Sequence, residues 1–383
     1  MKPGLFSAGQ DAGALTTDDF LATCWQKKPL LTRQAFPDFE PELDADDIAG
    51  LACDELAESR LVTGSYPEHD WKLRHGPFTD SDFSRLPAAN WTLLVQDVEK
   101  HYPPLQDLVN RFSFLPRWRI DDLMVSVAGP GGSVGPHVDQ YDVFLLQVAG
   151  TRRWQIAETF DPELLPDCEL NVLRTFGPEQ EWVLQPGDML YLPPGIAHHG
   201  VALNPGMTWS LGMRAPSGAD ILMALGEWLA SFRNEGERYA DPGIPPADRP
   251  GEINAEAIRK FRELCASVTQ TEKIFPEFLG TFLSAYRLAH QPAPPIDSST
   301  AADLGKALKK GAILRHNPWT RLLWLELNGS AILFAAGSST LCTVETAMNI
   351  CDPSRLETTA DEFTEDELSL CRQLINQGHL YLD

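Results

Sequence analysis

Between Asp121 and Pro216 the chain is cut into short apolar runs: DLMVSVAG, YDVFLLQVAG, RRWQIA, EWVLQ, MLYLP, AHHGVAL and MTWSLGMRAP. Turns rich in glycine and proline, such as GPGGSVGP and LPPG, separate them. Short strands with turn signals at such close intervals argue for a sandwich or a barrel. At 383 residues the chain is too long for one ordinary core, so two or three domains are expected.

After Pro216 the period changes. Ile221, Leu222, Leu225, Trp228, Leu229 and Phe232 recur at helical spacing. So do Ile258, Phe261, Leu264, Cys265 and Val268, and again Phe275, Phe278, Leu279, Phe282, Leu283 and Tyr286. About three helices follow the barrel, with one apolar face buried either against a second copy of the chain or against the barrel. The stretch Gln291 to Thr300, QPAPPIDSST, reads as a linker. Beyond it RLLWLEL and SAILFAAG flank Asn328-Gly329, the signature of a tight hairpin. Helices are expected around Val344–Ile350 and from Thr364 to Gln377, ending at Gly378 before HLYLD. That pattern is a small α/β module of winged-helix type. Its acidic residues Glu357, Asp361, Glu362, Glu365, Asp366 and Glu367 argue against the DNA-binding use of such a module. Residues 1 to about 120 mix short pieces that the sequence does not assign to elements.

Hydrophobic content of 43% and charged content of 22% are those of a globular protein. The opening MKPGLFSAGQDAG lacks the apolar core of a signal peptide, and no apolar run approaches the roughly 18 residues of a membrane span. A cytoplasmic location is expected. The seven scattered cysteines, never spaced Cys-x-x-Cys, fit reduced thiols. A net charge of -23 opposes direct nucleic-acid binding, which needs Lys and Arg to displace counterions, and favours a basic partner.

Within the strand-rich part, GPHVDQYDVFLLQ sets His137 and Asp139 one residue apart after a glycine turn. In an extended chain positions i and i+2 share a face, so both side chains aim at one point. About sixty residues on, the Pro193-Pro194-Gly195 turn delivers His198 at the start of another strand. His137, Asp139 and His198 are the ingredients of a two-histidine, one-carboxylate site, a donor set suited to non-haem Fe(II) and oxygen chemistry. The alternative is a set of structural histidines already satisfied by hydrogen bonds.

GPHVDQYDVFLLQVAGTRRW, PGDMLYLPPGIAHHG and SLGMRAP together resemble the bacterial JmjC-type ribosomal oxygenases, which hydroxylate an arginine of a large-subunit ribosomal protein using Fe(II), 2-oxoglutarate and molecular oxygen. The resemblance implies a mainly β plus α fold: a double-stranded β-helix (JmjC/cupin) barrel over residues 1–216, a helical dimerisation region over 217–292 and a winged-helix-like module over 300–383. It implies that His137, Asp139 and His198 hold the iron and that Arg152 anchors the far carboxylate of 2-oxoglutarate. Arg153 follows directly, but strand alternation turns only one of the two inward. The tandem His198-His199 is a departure from the family pattern, and the spacing from Gly195 selects His198.

Asp122, Met124 and Ser126 alternate along one strand and so share a face. Ser126 is expected to donate to 2-oxoglutarate, Asp122 to pair with a cationic substrate side chain, and Met124 to pack along its stem. Tyr141 is expected as an aromatic wall and Ser210 as a further hydrogen-bonding group, with ordinary turn and core roles as the alternative for each. The expected substrate is a basic ribosomal protein and the expected assembly a homodimer, with no nucleic acid or membrane as partner. Competing readings are a histidyl hydroxylase, which neutral donors would suit better than Asp122, a methyl-lysine demethylase, and a non-catalytic cupin that binds a basic partner.

Overall fold

A computed structural model describes residues 15–37, 39–231, 238–246, 249, 251–270, 274–295, 304–357 and 363–383. Residues 1–13, Phe232, Asp361, Glu362, the end of the expected linker (296–300) and the side chain of Val268 lie outside that description. The chain forms two compact units, Met1–Ala215 and Pro216–Asp383.

In the first unit twelve strands are introduced in chain order: β1 (Leu30–Thr32), β2 (Ser59–Thr63), β3 (Lys72–His75), β4 (Trp91–Val95), β5 (Ile120–Ala128) and β6 (His137–Val138), then β7 (Val143–Ala149), β8 (Arg152–Ala157), β9 (Gln180–Leu184), β10 (Met189–Leu192), β11 (Ala197–Ala202) and β12 (Gly206–Met213). They form an eight-stranded sheet, β1-β10-β7-β12-β5-β4-β2-β3, and a four-stranded sheet, β6-β11-β8-β9. Every pairing is antiparallel. This is the expected double-stranded β-helix.

Strand alternation decides what each face of the large sheet meets. Leu123, Val125 and Val127 of β5, Phe144 and Leu146 of β7, and Trp209 and Leu211 of β12 point away from the small sheet. They join Phe20, Phe36, Ile48 and Phe112 in one core. Each such side chain contributes about 1.5–3 kcal/mol over leaving it in water, so this layer holds the barrel wall. The opposite face carries Val143, Leu145, Leu190 and Leu192, which meet Trp154, Ile156 and Leu184 of the small sheet. The polar residues on that inner face build the site. The N-terminal part, unassigned from sequence, supplies β1 at one edge of the large sheet and β4, β2 and β3 at the other, with capped helices such as Thr17–Thr23 and Ala45–Leu51.

The second unit contains the helices Gly218–Ser231, Ala255–Thr269 and Ile274–Ala285 at the expected positions. β14 (Leu322–Leu327), β15 (Ser330–Ala335) and β16 (Ser338–Cys342) form a three-stranded sheet, while β13 (Leu314–His316) pairs with β17 (Leu380–Leu382). Asn328 and Gly329 form the hairpin turn, with φ of 53° and 77°, the left-handed pair such a turn requires. The helix Ile274–Ala285 lies on this sheet through Gly280, where an added Cβ would come within 2.3 Å of the Phe334 ring. The helices Val344–Cys351 and Glu365–Asn376 complete the winged-helix module around Leu333, Ala347, Ile350 and Leu374. No helix among the described residues is long and apolar enough to cross a membrane.

Candidate metal centre and its surroundings

β6 and β11 pair so that His137 and His198 stand directly opposite each other. Each histidine follows a turn with a left-handed glycine, Gly135 (φ 82°) before one and Gly195 (φ 84°) before the other. Asp139 lies just past β6, and its carbonyl accepts from the Gly195 N–H at 2.8 Å, tying the two turns together. The donor atoms of the three side chains lie within 4.8 Å of one another. Asp139 Oδ2 is 3.8 Å from His137 Nε2 and 3.6 Å from His198 Nε2.

The ring orientations are fixed from behind. His137 Nδ1 bonds the Gly135 carbonyl and His198 Nδ1 the Ile196 carbonyl, each at 2.9 Å. A carbonyl only accepts, so each Nδ1 carries a proton and each Nε2 faces the centre. Burial, reinforced by His137 and opposed by Asp139, lowers the His198 pKa to about 4, which keeps the ring in the neutral form a metal requires. Two imidazoles and a carboxylate converging on one point fit a divalent transition metal. His199 points the other way, its ring edge-on to Tyr66 at 5.7 Å and Phe176 at 6.0 Å, and it takes no part in the cluster.

Arg152, on the inner face of β8, is 6% exposed. Its Nη1 donates to Ser126 Oγ at 3.2 Å and Thr208 Oγ1 at 3.1 Å, and its Nη2 to the Gly132 carbonyl at 3.4 Å. Its Nε has no hydrogen-bond partner among the described residues. Among the described residues no carboxylate pairs with it. Burial lowers its pKa only to about 10, so the guanidinium keeps its charge at neutral pH. A buried cation ringed by neutral oxygens is a receptor for an anion, because a carboxylate would supply the missing charge and accept two parallel hydrogen bonds.

Thr208 and Gln147, which sequence reading did not single out, complete this arrangement. Thr208 Oγ1 donates to Gln147 Oε1 at 2.9 Å, and the Gln147 amide donates to the Ala149 carbonyl at 2.8 Å. With its proton committed there, the Thr208 oxygen accepts from Arg152. The available signal was a lone glutamine inside the buried run VFLLQVA. Ser126 Oγ donates to the Thr208 carbonyl at 3.2 Å while accepting from Arg152, so here it braces the arginine.

Further along the same inner face Met124 stands opposite Ser210 and Ser126 opposite Thr208. Asp122, at the end of this row, accepts from the Asp97 N–H at 3.3 Å. Burial first, then the neighbouring Glu99, Asp121 and Asp97, push its carboxyl up to about 8 against the opposing Lys100. Lys100 is in contact with Asp97 and lies 3.7 Å from Glu99. Asp121 is paired with Arg214 at 2.6 Å, so it is the raised Asp122 carboxyl that an added cation would favour in its ionised form. Tyr141 sits half-buried in the turn between Asp139 and β7.

The comparisons with known proteins accord with this geometry. A JmjC domain family model matches residues 107–221 and a ROXA-like winged helix model residues 267–381. The chain is 37% identical over 301 residues to the ribosomal protein uL16 3-hydroxylase of Escherichia coli, covering 78% of this chain and 80% of that one. It is 40% identical over 211 residues to a probable ribosomal oxygenase of Haemophilus influenzae, covering 54% and 52% of the two chains. The solved structure of the ribosomal oxygenase YcfD from Escherichia coli in complex with cobalt and 2-oxoglutarate superposes with a TM-score of 0.83 at 32% identity, over 96% of this chain and 98% of that one. Sequence, both unit folds and the converging His-Asp-His cluster therefore agree, and the chain belongs to the JmjC-type ribosomal oxygenase family.

Proposed function

We propose that this chain is an Fe(II)- and 2-oxoglutarate-dependent oxygenase that hydroxylates an arginine side chain of a large-subunit ribosomal protein, uL16 being the candidate substrate. The observation that carries the reading is Arg152, a buried guanidinium with no carboxylate partner among the described residues, on the same small sheet as His137 and His198. The activity named for the Escherichia coli relative, and the cobalt and 2-oxoglutarate held by YcfD, support it.

His137, Asp139 and His198 would hold the iron, through two Nε2 atoms and one carboxylate. When bound, Fe(II) supplies the oxygen activation that couples decarboxylation of 2-oxoglutarate to succinate with hydroxylation of a carbon–hydrogen bond. Arg152 takes the far carboxylate of 2-oxoglutarate, and Ser126 and Thr208 hold the guanidinium in place for it. Asp122 receives the positive end of the substrate side chain, Met124 lies along its stem, and Ser210 and Tyr141 limit its movement. These groups orient a carbon and take no part in bond breaking. A histidine would make poorer use of the carboxyl cluster at Asp122, which therefore favours arginine.

The helical region 217–292 is proposed to form a homodimer. Leu222, Met223, Ile258 and Phe261 are exposed there in the single chain. The reading locates the protein in the cytoplasm with its ribosomal substrate. Mass spectrometry of uL16 after incubation with the protein, Fe(II), 2-oxoglutarate and oxygen tests it. A gain of one oxygen on an arginine, absent without 2-oxoglutarate, is expected. A gain on a histidine would shift the reading to a histidyl hydroxylase. Neither oxygen gain nor succinate would leave a binding cupin.

A further inference from the structure

Asp142, three residues beyond Asp139, is fully buried and accepts three hydrogen bonds. Arg119 Nη2 donates at 2.7 Å, Tyr191 Oη at 2.6 Å and Gln26 Nε2 at 3.0 Å. Tyr191 Oη also accepts from the Gln26 N–H at 2.7 Å, so its own proton is committed to Asp142. Trp25 stacks on the Tyr191 ring at 5.7 Å, and the Arg119 guanidinium lies over Trp25 at 5.2 Å. Gln26 itself takes a left-handed φ of 54°, a conformation that costs energy for a residue with a Cβ and that these bonds hold in place.

A buried ion pair seldom stabilises a fold more than well-packed apolar groups would, because both charges lose their water. What such a network supplies is a fixed geometry. The turn from Asp139 to Asp142 is anchored at one end by the Gly195–Asp139 backbone bond and at the other by this three-donor clamp. Only Gln140 and Tyr141 lie between, so the position of Asp142 limits where both Asp139 and Tyr141 can stand.

We infer that Asp142, clamped by Arg119, Tyr191 and Gln26, is a positioning residue that sets the Asp139 carboxylate against the two histidines. Through Gln26 the clamp makes a segment far N-terminal to the matched JmjC span, 107–221, a working part of the site. The inference rests on the assignment of Asp139 as a metal ligand.

Tyr191→Phe and Gln26→Ala each remove part of the clamp and keep the apolar packing, while Asp142→Asn removes its charge. The full chain is titrated with Mn(II) in the presence of 2-oxoglutarate, free Mn(II) being read by electron paramagnetic resonance. Thermal unfolding of the metal-free protein is followed alongside. Tyr191→Phe acts one residue removed from the ligand and is expected to weaken Mn(II) binding by up to about tenfold, the lower end of the range for groups bonded directly to a ligand, and to raise the succinate formed per hydroxylated arginine. Unchanged Mn(II) affinity and coupling in both Tyr191→Phe and Gln26→Ala, with only a lower unfolding temperature, would make the clamp purely structural and overturn the inference. Asp139→Ala is the control. If it loses Mn(II) while the clamp variants do not, the clamp alone fails; if it binds Mn(II) like the parent, the ligand assignment fails and the inference with it.

Discussion

Arg152 is a residue whose energetic role reverses when its ligand arrives. Without 2-oxoglutarate its guanidinium is a buried charge met, among the described residues, by neutral oxygens and the Trp154 ring, a destabilising arrangement. Arg152→Met, close in length and apolar, is therefore expected to raise the unfolding temperature of the ligand-free protein and to abolish the further rise that 2-oxoglutarate gives the parent. Differential scanning fluorimetry reads both. Removing one side of a buried, hydrogen-bonded charge pair costs about 2–5 kcal/mol, so 2-oxoglutarate should bind roughly thirty-fold to several-thousand-fold more weakly. Asp122 titrates in the opposite sense to an ion-paired carboxylate. Its carboxyl ionises near 3.8 in the unfolded chain and near 8 in the folded one. Between those values the folded protein keeps a proton that the unfolded chain has lost, so this group's contribution to stability falls as pH rises from about 4 to about 8 and is gone above that. Asp122→Asn should flatten the decline in unfolding temperature between pH 5 and pH 9; an equal decline in the variant would show that other groups cause it.

At the scale of the element, strand alternation explains both what was legible and what was not. A period of two says which residues share a face, and so it separated Arg152 from Arg153 and His198 from His199, and grouped Asp122, Met124 and Ser126. Arg153 is indeed outward, 4.0 Å from Glu181. The same rule predicts that His198→Ala abolishes Mn(II) binding while His199→Ala retains it, losing only the packing against Tyr66 and Phe176. Equal loss in both would mean that β11 does not hold this register in solution. Alternation does not say which strand lies opposite. The pairing of His137 with His198, and of Met124 with Ser210, joins segments sixty to ninety residues apart, and no local pattern encodes it. For that reason Thr208 and Gln147 were not recognisable as partners of Arg152, nor Asp142 as the centre of a clamp reaching back to Gln26. The N-terminal strands were unreadable for another reason. β1 to β4 are three to five residues long and are interspersed with short helices, so no regular succession of strand and turn marks them as it does β9 and β10.

The whole molecule carries a formal charge of -23, which acts differently on its two proposed associations. Two copies of the same chain repel each other, so a homodimer held through the exposed Leu222, Met223, Ile258 and Phe261 forms against electrostatics and with the hydrophobic effect. A basic ribosomal protein is attracted by the same field. Added salt shortens the Debye length from about 10 Å at 0.1 M to about 3 Å at 1 M and screens both interactions. The dimer should therefore tighten with salt while capture of the substrate weakens. Between 0.05 and 0.5 M salt, sedimentation should show a larger dimer fraction at a fixed low concentration. Over the same range kcat/KM for a basic uL16 fragment should fall about tenfold or more. The turnover rate at saturating substrate should change much less, because Arg152 and His198 are buried away from the ions that do the screening. A kcat/KM indifferent to salt would mean that the acidic surface serves solubility and does not draw in the substrate; a dimer that dissociates with salt would point to ion pairs, not the apolar helix faces, at its interface.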